Sequence, residues 1–160
     1  MNNGRPPLNL PPVELKIIRD EGLIKVFDRL REKYVALTPE EFVRQHFTAW
    51  LENDRKFPRA SMANEVSIDL NGTRKRCDTV VYDRTGQPLM IVEYKAPGVS
   101  ITQDTFDQIA RYNMVLKVRY LAVSNGLNHY FCRLDTENKN YHFICQLPTY
   151  QEMITPFGSN

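Results

Sequence analysis

Cysteine is scarce in this chain of 160 residues: there are three, an odd number, and none stands in C-x-x-C spacing. That argues against a disulfide framework and agrees with a reducing compartment, so a cytoplasmic protein is expected. No apolar run is long enough to cross a bilayer, and the opening Met1-Asn2-Asn3-Gly4-Arg5-Pro6-Pro7 has no signal-peptide core, so no membrane partner is expected. A dominant charge is missing too. At a formal net charge of +2, any nucleic-acid footprint must be local. The three histidines, His46, His129 and His142, share no ligand spacing and are read as structural. Repeats and low-complexity segments are absent. What remains, 42% hydrophobic and 25% charged, is a globular balance in a chain of one-domain length.

Residues 1–12, rich in Asn, Pro and Gly, read as a flexible arm, 13–150 as one domain and 151–160 as a tail. Alternation at Val13, Leu15 and Ile17 with a Glu21-Gly22 turn favours a hairpin over 13–27, and Tyr34, Val35 and Leu37 are expected to be buried. Thr38-Pro39-Glu40-Glu41 is a helix start: Thr38 caps, Pro39 takes the first position and Glu41 completes a capping box. The helix runs to about residue 53 with Phe42, Val43, His46, Phe47, Trp50 and Leu51 on one face. A strand over 65–70, the turn Asn71-Gly72 and a second strand follow. A helix over 101–117, a buried strand over 120–124 and a hairpin of strands 129–135 and 141–146 complete the order. In that hairpin Cys132 and Cys145 are expected to face each other as buried thiols. The order predicts an α/β fold, a mixed central sheet flanked by helices.

Residues 76–95 carry the chemistry. Two apolar runs flank the turn Asp83-Arg84-Thr85-Gly86-Gln87-Pro88. Asp78 opens the first; the second, Leu89-Met90-Ile91-Val92, breaks into Glu93-Tyr94-Lys95. Alternation puts Glu93 and Lys95 on one face and Tyr94 on the other. Two carboxylates on paired strands repel unless a divalent cation bridges them, which is the Mg²⁺ type of site. Lys95 beside them could contact a phosphate or orient an attacking water, so the three have the right types for phosphodiester hydrolysis. By spacing alone they are equally an exposed acid and an exposed ion pair at strand ends.

Asp78 followed by Glu93-Tyr94-Lys95 resembles the PD-(D/E)xK nuclease superfamily of restriction enzymes, junction resolvases and repair exonucleases. Gln108-Ile109-Ala110-Arg111-Tyr112 resembles the Q-x-x-x-Y motif of its repair-exonuclease branch and of type I restriction motor subunits. Thr38-Pro39-Glu40-Glu41-Phe42-Val43-Arg44-Gln45 resembles the first core helix of the N-terminal nuclease domain of those subunits. The likeness spans about residues 34–125 and departs from the pattern at Cys77, which stands in place of a motif proline that is often absent in the superfamily. It implies a restriction-endonuclease-like core and a Mg²⁺-dependent deoxyribonuclease, endonuclease rather than exonuclease, with Mn²⁺ able to substitute. Asp78, Glu93 and Lys95 would be catalytic. Asp78, Glu93, the Tyr94 backbone carbonyl and Glu41 would serve the metal, and Gln108 and Tyr112 would support the site.

Arg74, Lys75 and Arg76 form the only dense basic run, placed where a DNA backbone would pass such a site; Lys56 and Arg59 are further candidates for that surface. No Walker-type motif occurs, so the domain is not expected to translocate DNA by itself. A double-strand cut needs two sites, which implies a homodimer or restriction-complex subunits as partners. The competing expectation is a nuclease fold that binds nucleic acid or a partner subunit without cutting; metal binding separates the two.

Overall fold

The computed structural model describes residues 5–135 and 140–155, without the side chains at 70 and 112–116. Glu21 and Gly22 both have positive φ, the conformation a two-residue hairpin turn demands, and they join β1 (Ile17–Asp20) to β2 (Leu23–Asp28). The expected hairpin forms, but it begins at Ile17, and an unforeseen third strand, β3 (Lys33–Ala36), pairs with β2. Tyr34, expected inside, is exposed because it stands on the outer face and meets Phe27 edge-on at 5.3 Å. Val26, Leu37 and Phe42 form the small core that fastens this sheet to the next helix.

That helix, α1 (Pro39–Asn53), starts where expected, with the Glu41 amide donating to Thr38 Oγ1 at 3.1 Å. The reciprocal half of the capping box does not form. The Thr38 amide donates to the Ala36 carbonyl, and the Glu41 carboxylate is engaged by arginines. Val43, Phe47 and Leu51, four residues apart, are wholly buried along one face.

The main sheet has six strands: β4 (Met62–Leu70), β5 (Thr73–Tyr82), β6 (Pro88–Tyr94), β7 (Tyr120–Ser124), β8 (His129–Asp135) and β9 (Asn140–Ile144). They lie in that order, antiparallel except for β6 against β7, which run parallel and are joined through α2 (Gln103–Leu116). Alternate residues of β6 and β7 serve two cores. Met90, Val92, Tyr94 and Ala122 meet Phe47 of α1, whereas Ile91, Leu121 and Val123 meet Ile109 of α2, so the helices cover opposite faces.

The described parts of the expected arm and tail, residues 5–12 and 151–155, are packed. Leu8 and Leu10 pack on the cores, and the Asn9 amide donates to Gly126 O at 2.7 Å, so residues 5–12 are docked. Gly126 is needed there: its φ is +86°, and a Cβ would lie 2.8 Å from Leu8 Cδ2. A third helix, α3 (Tyr150–Ile154), has a complete Thr149/Glu152 capping box and buries Tyr150 and Met153, so the packed body runs past residue 150. Cys132 is paired with Phe143, not Cys145; it is buried, while Cys145 is exposed. The expected turn of that last hairpin lies outside the described residues. The histidines are occupied structurally: His46 Nδ1 lies 2.8 Å from Phe42 O, His129 bridges Ser124 Oγ and Asn9 O, and His142 faces Asp135.

One irregularity positions the site. Asn64 and Thr79 are hydrogen-bonded on the α1 side of the sheet, yet Val66, Ile68 and Cys77 pack in the α2 core. Residues two apart on a regular strand share a face, so both strands turn over at Glu65 and Asp78. Glu65 has φ +59°, and the ladder runs from Asn64↔Thr79 to Val66↔Cys77 without pairing the two residues between.

Candidate active site

Asp78 occupies this break, and Thr79↔Val92 is the last β5–β6 pair before it, so Glu93 stands beside it on β6. The Tyr94 amide donates to Asp78 Oδ2 at 2.8 Å, which aims the carboxylate at the end of β6. Lys95 follows, with Nζ 3.9 Å from Glu93 Oε1 and its amide donating to Ser124 O of β7. The sheet therefore brings Asp78, Glu93 and Lys95 to one cavity of about 300 Å³, closed by Thr38 and Glu40 at the start of α1 and by Arg44, Glu65 and Tyr94.

Beneath the cavity is a ring of buried polar contacts. Arg44 gives Nη1 to Asp78 O at 2.6 Å, Nη2 to Glu65 Oε1 at 2.5 Å, and Nε and Nη2 to the Glu41 carboxylate at 3.1 Å each. Glu41 also accepts from Arg31 at 2.6 Å and Gln45 at 3.0 Å; Arg31 in turn pairs with Asp28. Asp28 accepts from Asn64, whose amide oxygen accepts from Thr79, whose hydroxyl accepts from Tyr94. Tyr94 closes the ring through its amide on Asp78, and the Arg44 guanidinium lies 5.7 Å over its phenol ring.

Burial, and then the neighbouring Asp78, pushes Glu93 up to about 8 against the pull of Lys95. Burial raises Asp78 too, although the Tyr94 amide and Arg44 draw it back. Asp28 moves the other way: burial opposes its charge, but Arg31, Asn64 and the Leu30 amide overcome it. Four carboxylates line the cavity against two cations, and Glu93 Oε2 is buried without a hydrogen-bond partner among the described residues. An excess of carboxylate and an orphaned oxygen suit a hard divalent cation of the Mg²⁺ kind, which takes one or two carboxylates and keeps water. Among the described residues no three His, Cys, Asp or Glu side chains are grouped closely enough to hold a metal.

The raised Glu93 has a measurable consequence. With the folded value above the unfolded one of about 4.3, metal-free stability falls as pH rises from there to about 8 and is level beyond. Glu93→Gln removes this loss. In EDTA, the variant's melting temperature should gain on wild type as pH goes from 5 to 8, and millimolar Mg²⁺ should shrink the gap by stabilising wild type alone. A gap that does not vary with pH would contradict the assignment.

The family described as type I restriction enzyme R protein N terminus matches residues 39–148. The chain belongs to this family. A structure described as a fragment of an HsdR subunit of a type I restriction enzyme from Vibrio vulnificus YJ016 is similar, with a TM-score of 0.53 and 19% identity over 73% of this chain and 24% of that one. That likeness carries the restriction-endonuclease-like fold, and the chain spans about a quarter of the relative's length. Among curated proteins, no sequence matches the chain.

Within this R-protein N-terminal domain the predicted residues are not all at the cavity. Glu41 lies in the ring beneath it, its oxygens filled by four donors, rather than on the wall. Gln108 is half-buried on α2 and is not part of the lining; the Tyr112 side chain lies outside the described residues. Arg74, Lys75 and Arg76 are exposed on β5, and Arg76 Nε reaches to 3.6 Å from Glu65 Oε2. Lys56 and Arg59 follow the far end of α1, about 22 Å from its start by helix length, where they bind Asn53 O and Glu52. The sequence reading missed Arg44, Glu65, Arg31 and Asp28. Only Arg44 carried a local signal, three residues after Glu41 on the same helix face.

Proposed function

We propose that this R-protein N-terminal domain is a Mg²⁺-dependent deoxyribonuclease that cuts internal phosphodiester bonds, with Mn²⁺ able to substitute, working beside other subunits of a restriction complex or a second copy of itself. The observation that carries the reading is the meeting of Asp78, Glu93 and Lys95 at one cavity with a buried, unpartnered Glu93 oxygen. Deprotonated, Asp78 and Glu93 hold the cation, with the Tyr94 carbonyl as a further donor. Bound there, the cation supplies an acidified water and screens the phosphate's charge. Lys95, half-exposed beside Glu93, orients the attacking water and pairs with a non-bridging phosphate oxygen. Arg74, Lys75 and Arg76 on the same strand as Asp78 take the flanking DNA phosphates, and Gln108 and Tyr112 of α2 support the site.

Conversion of supercoiled plasmid in Mg²⁺ or Mn²⁺ tests this. Wild type should nick and Asp78→Ala should not. Wild type that binds DNA but neither nicks it nor takes up Mn²⁺ would favour a silent nucleic-acid-binding module instead.

A further inference from the structure

Asp78 has an unusual main chain for a residue in the middle of a strand. Its antiparallel neighbour, Glu65, turns into the left-handed region, and the two do not pair. Such a conformation at a non-glycine residue is strained and persists only where surrounding contacts enforce it. Arg76 reaches Glu65 at 3.6 Å, but one side chain touches both strands at the break. Arg44 donates to Asp78 O, holds the displaced Glu65 carboxylate, and is itself clamped by Glu41. Three directions must be satisfied at once by a rigid planar fork, which lysine's single ammonium cannot do.

We propose that Arg44 is the positioning residue of the site: by bridging the Asp78 carbonyl, Glu65 and Glu41 it holds open the break in β4 and β5 that turns the Asp78 carboxylate toward Glu93. Arg44 acts through Asp78 and does not handle the attacking water or leaving group. The inference rests on the metal-dependent reading for its effect on reactivity, but its structural half, the fixing of Asp78, stands apart. Its reporter is the Tyr94 amide, whose acceptor is Asp78 Oδ2.

The experiment compares wild type, Asp78→Ala, Arg44→Lys and Glu65→Gln in Mn²⁺ titrations, plasmid nicking and hydrogen exchange at Tyr94. In Arg44→Lys the Mn²⁺ dissociation constant should rise by about 10–100-fold, as when the support of a ligand is lost, and the Tyr94 amide should exchange faster while amides of β7 keep their protection. Glu65 is partly exposed, so Glu65→Gln should remain folded even if Arg44→Lys fails to fold. Keeping the acceptor but losing the charge, it should show the same two changes to a smaller degree. Wild-type Mn²⁺ affinity and Tyr94 protection in a folded Arg44→Lys, or in Glu65→Gln should the lysine variant fail to fold, would overturn the proposal. If wild type itself neither binds Mn²⁺ nor nicks DNA, the nuclease reading fails; faster Tyr94 exchange in the variants would still support the positioning of Asp78, and unchanged exchange would refute it.

Discussion

Lys95→Ala should lower metal-dependent nicking by roughly two to three orders of magnitude, the usual cost of removing one charge-stabilising donor from an active site. Mn²⁺ affinity should stay within a few-fold of wild type. The separation follows from where Lys95 sits. Its ammonium makes only a 3.9 Å contact with Glu93 and keeps 28% of its side chain exposed, so the ring of contacts beneath the cavity does not depend on it. Asp78, by contrast, is half-buried, fixed by the Tyr94 amide and proposed as a cation donor, and its removal should abolish metal binding and nicking together. A Lys95→Ala protein that loses metal affinity in proportion to rate would place Lys95 among the structural partners of Glu93. One that nicks at the wild-type rate would remove it from the chemistry.

Glu41→Ala should be strongly destabilising, at about 3–5 kcal/mol, because it takes a shared carboxylate from the buried Arg44 and from the half-buried Arg31. Four hydrogen bonds from Arg31, Arg44 and Gln45 converge on that one carboxylate. For a chain of this size the loss corresponds to a drop in melting temperature on the order of 10 °C. Thr38→Ala, which removes only the cap of the same helix, should cost about 1 kcal/mol. Urea unfolding of the two variants makes the comparison. Equal losses would mean that Glu41 matters only as a helix-start residue and that the ion network is not coupled to stability. A large loss accompanied by normal Mn²⁺ affinity per folded molecule would set Glu41 apart from the metal.

The two predictions divide the site between chemistry and support, and the same line separates what could be read from the chain alone. Asp78, Glu93 and Lys95 were legible because their placement depends on short-range rules. A turn cluster makes a hairpin, paired strands bring their residues side by side, and alternation puts Glu93 and Lys95 on one face. The helix start at Thr38-Pro39 and the turn Asn71-Gly72 were legible for the same reason, since capping and positive φ are properties of a few adjacent residues. The family resemblance then narrowed a pattern that spacing left open between a site and an ordinary ion pair.

The support was decided by tertiary structure. Arg31, Glu41, Arg44 and Glu65 come from the β2–β3 connection, α1 and β4, and beyond the i,i+3 spacing of Glu41 and Arg44 nothing in their local sequence aims them at one another. They pair because the packing of the small sheet and α1 against the main sheet removes water from Glu41 and Arg44 and much of it from Arg31 and Glu65, and buried charges must then find partners. Glu65's left-handed backbone is equally invisible in sequence, because Glu has no preference for it; the surrounding contacts impose it. Tertiary contacts also overruled composition at the ends of the chain. Residues 5–12 of the expected arm dock because Leu8 fits against Gly126, and residues 151–154 of the expected tail belong to α3 because Tyr150 and Met153 complete the core beside Phe57. By itself the sequence determined which residues could do chemistry, since residue type and strand periodicity are local. Which of them are held, and by what, depended on burial, which only the folded chain creates.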